Sequence, residues 1–289
     1  MRPEFRLLLT AALFASGGAL LKATDYPSLQ RAGMRGAIAA AAIFLLLPAA
    51  RRAPNLRILC VVPAYFGATC LFVVANSFTT AANAIFLQSA APLWLVLLGP
   101  WLLRERPTRN DLLTLLGVGA GMTLIFVAPA EAVATAPDPR LGDWFAVASG
   151  VSYALLLIGM RWLARGGSDE QCAAVAWGNL LTLPLAFALI PVFGQQPIAG
   201  TPRDWLVIAV LGVFQVGLAY AILVRTIAHV PALRASLVMM VEPVLNSLVT
   251  WLVHDEVPHW LAGAGGLVIL GTVALGALRR STGGATVNA

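Results

Sequence analysis

The sequence predicts an all-α integral membrane protein, with ten transmembrane helices arranged as two inverted five-helix repeats. Of its 289 residues, 59% are hydrophobic and 11% are charged, whereas roughly a quarter of the residues in a soluble domain are charged. Many apolar runs approach the length of about 20 residues that crosses a bilayer as a helix. The chain also resembles itself when shifted by 151 positions, which lays Pro92 on Pro243 and Glu105 on Glu256. Such a repeat indicates that two halves form one structure.

The ten helices are predicted from the apolar runs and from prolines at several helix starts, where a missing N–H costs nothing. They cover residues 5–23, 33–50, 57–76, 81–103, 111–128, 143–163, 172–193, 204–225, 232–253 and 259–278. The longest connection runs from Pro129 to Gly142. It divides the chain into a first repeat (1–128), a linker (129–142), a second repeat (143–280) and a flexible cytoplasmic tail (281–289).

The basic residues predict the orientation of these helices. If the N-terminus is cytoplasmic, 14 Lys and Arg residues lie on the cytoplasmic side and 5 on the other side. Because cytoplasmic loops are enriched in Lys and Arg, both termini are expected on the cytoplasmic side of the cell (inner) membrane. Five helices are an odd number, so the second repeat is inverted relative to the first. Inverted repeats are typical of secondary transporters that work by alternating access. The five outer residues are Lys22, Arg31, Arg35, Arg140 and Arg203.

Several other kinds of site are not predicted. The net charge of +6 accompanies no basic aromatic surface, so nucleic acid is not an expected partner. Cys60, Cys70 and Cys172 form no close pair and indicate neither a disulfide nor a metal site. No cofactor is therefore expected. The expected partners are a small-molecule substrate and the lipid bilayer, with a monomer as the working expectation.

Two prolines and one acid fall near the predicted middle of the membrane. Pro92 and Pro243 occupy equivalent places in helices four and nine, where a proline kinks the helix; they are candidate gating elements or passive kinks. Glu242 is a functional candidate because an ionisable group at this depth is costly unless it is paired or faces water. A protonated or capping role that stabilises the fold remains the alternative. Asn246 lies one turn further along the same helix face.

Polar and aromatic side chains on several helices are candidates for a substrate cavity. Each alone is more typical of contacts between helices, but a few polar groups in an apolar cavity suit a small amphipathic molecule. Few cations are expected deep in the spans, which argues against a phosphorylated substrate. The candidates are Ser16, Tyr65, Thr69, Asn76, Asn83, Gln88, Trp94, Ser152, Tyr153, Trp177, Gln215, Tyr220, Glu242 and Asn246.

Each repeat carries a short proline motif that is followed thirteen residues after the proline by a glutamate. Val-Glu-Pro-Val at 241–244 precedes Glu256, and Ala-Pro-Leu at 91–93 precedes Leu-Arg-Glu-Arg at 103–106. This pattern resembles the repeat of the drug/metabolite transporter superfamily, in its ten-helix EamA-type branch. The resemblance implies metabolite export by alternating access. It also implies a central cavity lined by helices one, three, four, six, eight and nine, with helices five and ten bracing the outside.

The resulting prediction is a secondary transporter that exports small amphipathic metabolites, with apolar or aromatic amino acids as the leading substrates. An exporter or permease for a vitamin, a nucleoside or a toxic compound is the alternative. A membrane-embedded enzyme is a rival class, because the segment from His254 to His259 carries metal-capable side chains. However, Pro258 separates its histidines and no familiar catalytic motif is present. No ring of charge or filter loop indicates a channel.

Overall fold

A computed structural model of the chain describes residues 3–102, 109–129, 131–164, 170–227, 239 and 241–285, and their regular structure is helical apart from one isolated bridge between Val133 and Ala136. The first half contains α1 (Pro3–Ala15), α2 (Gly17–Lys22), α3 (Ser28–Leu46), a 3₁₀ turn (Pro48–Arg51), α4 (Leu56–Phe78), α5 (Ala81–Gln88), α6 (Ala91–Leu102) and α7 (Arg109–Val127). The second half contains α8 (Pro139–Ala164), α9 (Glu170–Leu189), α10 (Pro202–Val210), a π-helical segment (Leu211–Leu218), α11 (Ala219–Ile227), α12 (Val241–His254) and α13 (Trp260–Ala285).

The helices are apolar enough for a membrane protein. Within the described residues, seven helical stretches are long and apolar enough to cross a bilayer, and Leu115–Val127 and Trp260–Gly276 are shorter apolar helices. The all-helical membrane architecture is thereby confirmed, while the count of ten spans and the inverted arrangement stay predictions. The first part of predicted helix nine and Glu105 lie outside the described residues.

Polar side chains cap several helices and determine where they begin. Asn55 Oδ1 accepts a hydrogen bond from Ile58 N at 2.9 Å at the start of α4. Thr80 Oγ1 caps α5 by accepting from Asn83 N at 3.2 Å. Thr201 caps α10 through a reciprocal capping box. Each cap satisfies an N–H group that has no partner inside its own helix.

The second helix begins earlier than the sequence predicts. It starts at Ser28 rather than at residue 33, directly after Pro27. Its first turns are polar but are satisfied by neighbouring loops: Gln30 donates to Ile198 O at 2.7 Å and accepts from Ile198 N at 3.0 Å. Arg31, which was expected before the helix, therefore lies inside it. Arg31 and Arg35, both counted on the outer side of the membrane, are buried.

At the other end of the chain, α13 continues to Ala285, so the first five residues of the predicted tail are helical.

Several of the predicted spans are not continuous α-helices in the described part of the chain. The first is interrupted at Ser16, between α1 and α2, and the fourth at Ser89 and Ala90, between α5 and α6. Pro92 consequently occupies the second position of α6, where it needs no N–H partner. The eighth passes through the π-helical segment between α10 and α11. Pro243 is the third residue of α12.

Close glycine contacts bring pairs of helices together. A Cβ atom added at Gly121 on α7 would lie 2.6 Å from Gly265 O on α13, and one added at Gly265 would lie 2.5 Å from Gly121 O. Small residues allow such close approach between helices in a membrane, where burial of apolar surface gives little drive to associate. Helices α7 and α13, the predicted fifth and tenth spans, therefore pack directly against each other.

Candidate functional site

A cavity of about 540 Å³ lies between the helices, and it is lined by residues of the predicted spans one, two, three, four, six, seven, eight, nine and ten. It thus draws on three more helices than the resemblance implied. Eight of the fourteen cavity candidates line it, together with both motif prolines, Pro92 and Pro243. The eight are Tyr65, Thr69, Gln88, Tyr153, Gln215, Tyr220, Glu242 and Asn246.

Three of the remaining candidates are held by their own helix or by a neighbouring helix start. Ser16 Oγ donates to Leu13 O at 2.7 Å, and Asn76 Nδ2 donates to Phe72 O at 3.0 Å. Asn83 Nδ2 donates to Asp143 Oδ1 at 3.1 Å. These amide and hydroxyl groups stabilise helix ends and turns, and they do not line the cavity.

The other three candidates also lie away from the central cavity. Trp177 Nε1 donates to Arg52 O at 2.9 Å, which ties the indole to the turn before α4 rather than to mid-span. Trp94 is partly buried and packs against the larger hydrophobic core. Ser152 lines a second cavity, of about 460 Å³, between α4, α6 and α8.

Aromatic rings form one wall of the central cavity. Phe14 and Tyr220 meet edge to face, with ring centroids 5.2 Å apart. Asn179 Nδ2 donates to the Tyr65 hydroxyl, so the phenol is oriented from α9. Thr69 Oγ1 donates to Tyr65 O at 2.9 Å. The wall is therefore aromatic, with its hydroxyl and amide groups placed by hydrogen bonds.

Gln88 lines the cavity, but its donor group is already engaged. Its Nε2 donates to Ser149 Oγ at 2.6 Å and to Ala68 O at 3.0 Å, and Ser149 Oγ donates to Ala68 O at 2.8 Å. These bonds join α4, α5 and α8 just before the interruption at Ser89. Gln88 thus stabilises the broken helix where it borders the cavity.

Helix α12 brings an acid and an amide to the cavity. Glu242 is partly buried and has no ionic partner among the described residues. Asn246, one turn further on, is 1% exposed, and its Oδ1 has no hydrogen-bond partner in the described part of the chain. Gly18 provides the space for this amide, because a Cβ there would collide with Asn246 Oδ1. Among the described residues, the Glu242 carboxyl group therefore lacks an ionic partner and Asn246 Oδ1 lacks a hydrogen-bond donor, so both groups are available to a ligand.

Arg35 also lines the cavity, and sequence reasoning missed it. The residue is 6% exposed, and its Nη1 donates to Gln215 Oε1 at 3.4 Å. It was assigned to the membrane surface because helix two was expected to begin at residue 33. The spacing of Arg31 and Arg35, four residues apart after Pro27, is the signal that could have placed both on one helix.

Lys22 and Glu256 close one end of the bundle with a buried ion pair. Lys22 Nζ lies 2.7 Å from Glu256 Oε1, and the two side chains are 3% and 4% exposed. Lys22 also donates to Thr79 O at 2.9 Å and to Thr135 O, while Glu256 Oε2 accepts from Ala81 N at 3.0 Å. The lysine thus does not extend to lipid headgroups, and this motif glutamate joins four separate parts of the chain.

Two further buried acids strengthen the same end. Asp143 Oδ1 accepts from Thr79 Oγ1 at 2.7 Å, and Asp204 Oδ1 accepts from Asp25 N at 2.9 Å. Both acids lie in the first two turns of their helices, where a negative charge meets the positive end of the helix dipole. Buried polar contacts therefore close this end, which we call the Lys22 end.

Comparison with known proteins gives the family. The sequence profile described as the EamA-like transporter family matches residues 2–127 and 140–277. No curated protein matches, whereas fourteen chains of solved structure do. One of these, described only as the crystal structure of a protein, has a TM-score of 0.65 and 22% identity, over 96% of this chain and 98% of that chain. That similarity shows the fold alone. Because the profile covers both repeats, the chain belongs to the EamA-like transporter family and is a membrane transporter of small molecules.

Proposed function

We propose that this transporter exports small amphipathic metabolites, and amino acids with apolar or aromatic side chains above all, by alternating access. The observation that best supports this function is the central cavity, which combines an aromatic wall with the carboxyl group of Glu242, a group that has no ionic partner among the described residues. Its volume of about 540 Å³ is in the range of small-molecule sites, which are mostly apolar with a few placed polar groups.

The two kinds of wall fit the two parts of an amphipathic substrate. The Phe14 and Tyr220 rings, at 5.2 Å, offer apolar and aromatic surface for a side chain. Glu242 has no ionic partner among the described residues, and an acid within the membrane is costly without one. In our proposal the ammonium group of the substrate is that partner. A substrate with an amino group and an apolar side chain would bind both the carboxyl group of Glu242 and the aromatic surface of the cavity.

Alternating access would require the closed end to open. In our proposal the repeats, 1–128 and 143–280, are inverted and rock about kinks at Pro92 and Pro243. Opening the Lys22 end would separate Lys22 from Glu256, whose atoms lie 2.7 Å apart, while the opposite end closes. With ten spans and both termini cytoplasmic, the Lys22 end would face away from the cytoplasm.

An uptake screen in liposomes tests the substrate class. Purified protein is reconstituted and offered labelled amino acids, with vitamins, nucleosides and cationic drugs in parallel. The proposal expects saturable uptake of apolar or aromatic amino acids, which unlabelled amino acid inhibits and which empty liposomes lack. Saturable uptake of a nucleoside or a drug, without any amino acid, would contradict the amino acid assignment and support the alternative substrate classes.

A further inference from the structure

We propose that Arg35, with Gln215 beside it, is the anchor for an anionic carboxylate group of the substrate. This inference rests on the proposed function and deepens it, since it names the chemical group that the site requires. It also gives a role to a cation that the sequence assigned to the membrane surface.

Arg35 is a buried cation without a counterion in the described part of the chain. It is 6% exposed and lines the cavity, yet no acidic side chain pairs with it there. Its contact with Gln215 Oε1, at 3.4 Å, lies beyond the usual range for an N–H···O bond. A buried charge is costly unless it is paired. A cavity ligand that carries a negative charge would supply the missing partner.

The backbone places Gln215 beside Arg35 by close packing. Gln215 lies in the π-helical segment, and this segment approaches α3 so closely that a Cβ at Gly212 would lie 2.6 Å from Ile38 Cβ and 3.0 Å from Arg35 O. Single π-helical turns are frequent at functional sites. Gln215 Nε2 reaches Phe14 O only at 3.4 Å. Both hydrogen bonds of the amide are long, so the amide can turn towards a ligand at little cost.

The neighbouring cations are engaged elsewhere, which singles out Arg35. Arg31, one turn earlier, donates from Nη2 to Tyr26 O at 2.8 Å and from Nη1 to Leu21 O. Lys22 is paired with Glu256. A single planar guanidinium matches a carboxylate through two parallel hydrogen bonds, whereas a phosphate dianion would call for more than one cation.

Glu242 lines the same cavity and does not pair with Arg35. The cavity therefore holds the guanidinium group of Arg35 on α3 and the carboxyl group of Glu242 on α12, and neither has an ionic partner among the described residues. A zwitterion with adjacent ammonium and carboxylate groups would neutralise both. This charge arrangement identifies the substrate class more narrowly than cavity size or aromatic lining does.

Matched acid and amide ligands test the anchor. Binding to purified full-length protein in detergent is measured for phenylalanine and phenylalaninamide, for nicotinate and nicotinamide, and for phenylacetate and phenylacetamide. The wild type should bind the acid of a pair about 10- to 100-fold more tightly than the amide, the usual range for a hydrogen-bonded charge. Arg35→Gln should abolish this preference and leave the affinity for the amide unchanged. Arg203→Gln, at an exposed arginine, is the control and should keep the preference.

Three results would overturn the anchor: an unchanged acid preference in Arg35→Gln, equal weakening of acid and amide, or a wild type that binds only uncharged members. Arg35→Lys keeps the charge without the planar fork and should restore part of the preference, even if Arg35→Gln folds poorly. Binding of nicotinate or phenylacetate with an Arg35-dependent preference, but of no amino acid, would refute the amino acid proposal while supporting the anchor.

Discussion

The buried ion pair at the Lys22 end should contribute strongly to stability only while both partners are present. Glu256→Gln removes the negative charge but keeps an oxygen that can accept from Ala81 N. It leaves the Lys22 ammonium, in a side chain 3% exposed, without a counterion. Breaking a buried pair from one side costs about 3–5 kcal/mol. The carbonyls of Thr79 and Thr135 still accept from Lys22, so we expect the lower end, about 3 kcal/mol.

A double-mutant cycle separates the pair from its surroundings. Lys22→Met together with Glu256→Gln removes both charges. Replacing both members of a buried ion pair by uncharged residues often changes stability little. The free energy of unfolding of the double variant should therefore lie within about 1 kcal/mol of the wild-type value. Lys22→Met alone should also cost about 3 kcal/mol, because it leaves the buried Glu256 carboxylate without its counterion. The coupling energy of the cycle should therefore be about 5 kcal/mol. The control is Arg203→Met, at an exposed arginine that forms no ion pair among the described residues; its free energy of unfolding should stay within about 0.5 kcal/mol of the wild type.

The assay is the free energy of unfolding of purified protein in mixed micelles, followed by tryptophan fluorescence during a denaturant titration. We expect a large loss of unfolding free energy in Glu256→Gln, and we expect most of it to be recovered when Lys22→Met is added. If both single variants lie within about 0.5 kcal/mol of the wild type and their effects add, the pair contributes no more than an exposed one, and the Lys22 end is not held closed in this way.

Three further predictions concern the cavity and the helix contacts. Glu242→Gln should lower transport of an amine-bearing substrate about 10- to 100-fold and flatten its pH dependence; accumulation that still depends on pH would exclude Glu242 as a proton-coupling site. Pro92→Ala combined with Pro243→Ala should slow uptake into liposomes without abolishing binding, and unchanged transport rates would refute the role of the proline kinks. Gly121→Ala, whose Cβ would lie 2.6 Å from a carbonyl of the facing helix, should lower stability by about 1–3 kcal/mol in thermal unfolding. Gly119→Ala on the same helix has its nearest contact at 3.9 Å and should be nearly neutral; equal losses would contradict the packing argument.

Much of the architecture follows from the apolar pattern alone. A run of some twenty apolar residues has few alternatives to a spanning helix, which is why α4 begins and ends within two residues of its predicted limits of 57 and 76. The repeated proline motif likewise indicated the residues near Pro92 and Pro243 that border the cavity. The polar candidates Tyr65 and Thr69 from helix three and Asn246 from helix nine likewise line one cavity.

The polar contacts within the bundle could not be predicted in the same way. Whether Asn83 faces a ligand or Asp143 depends on the relative position of two helices that are far apart in sequence. Arg35 was missed because a charge near a span boundary is usually at the surface. Its spacing from Arg31 could have placed both on one helix that begins after Pro27, but their burial depends on tertiary contacts. The pairing of Lys22 with Glu256 crosses almost the whole chain, and no local pattern predicts it.

Counterflow in reconstituted liposomes tests the central claim most directly. Liposomes are loaded with a high concentration of an unlabelled aromatic amino acid, diluted, and exposed to a trace of the labelled compound. A carrier with one cavity that opens alternately to each side must take up label transiently above its equilibrium level, and loading should accelerate entry. We expect such an overshoot in the wild type and its loss in Arg35→Gln. Label that only equilibrates, at a rate independent of loading, would contradict alternating access and indicate a pore.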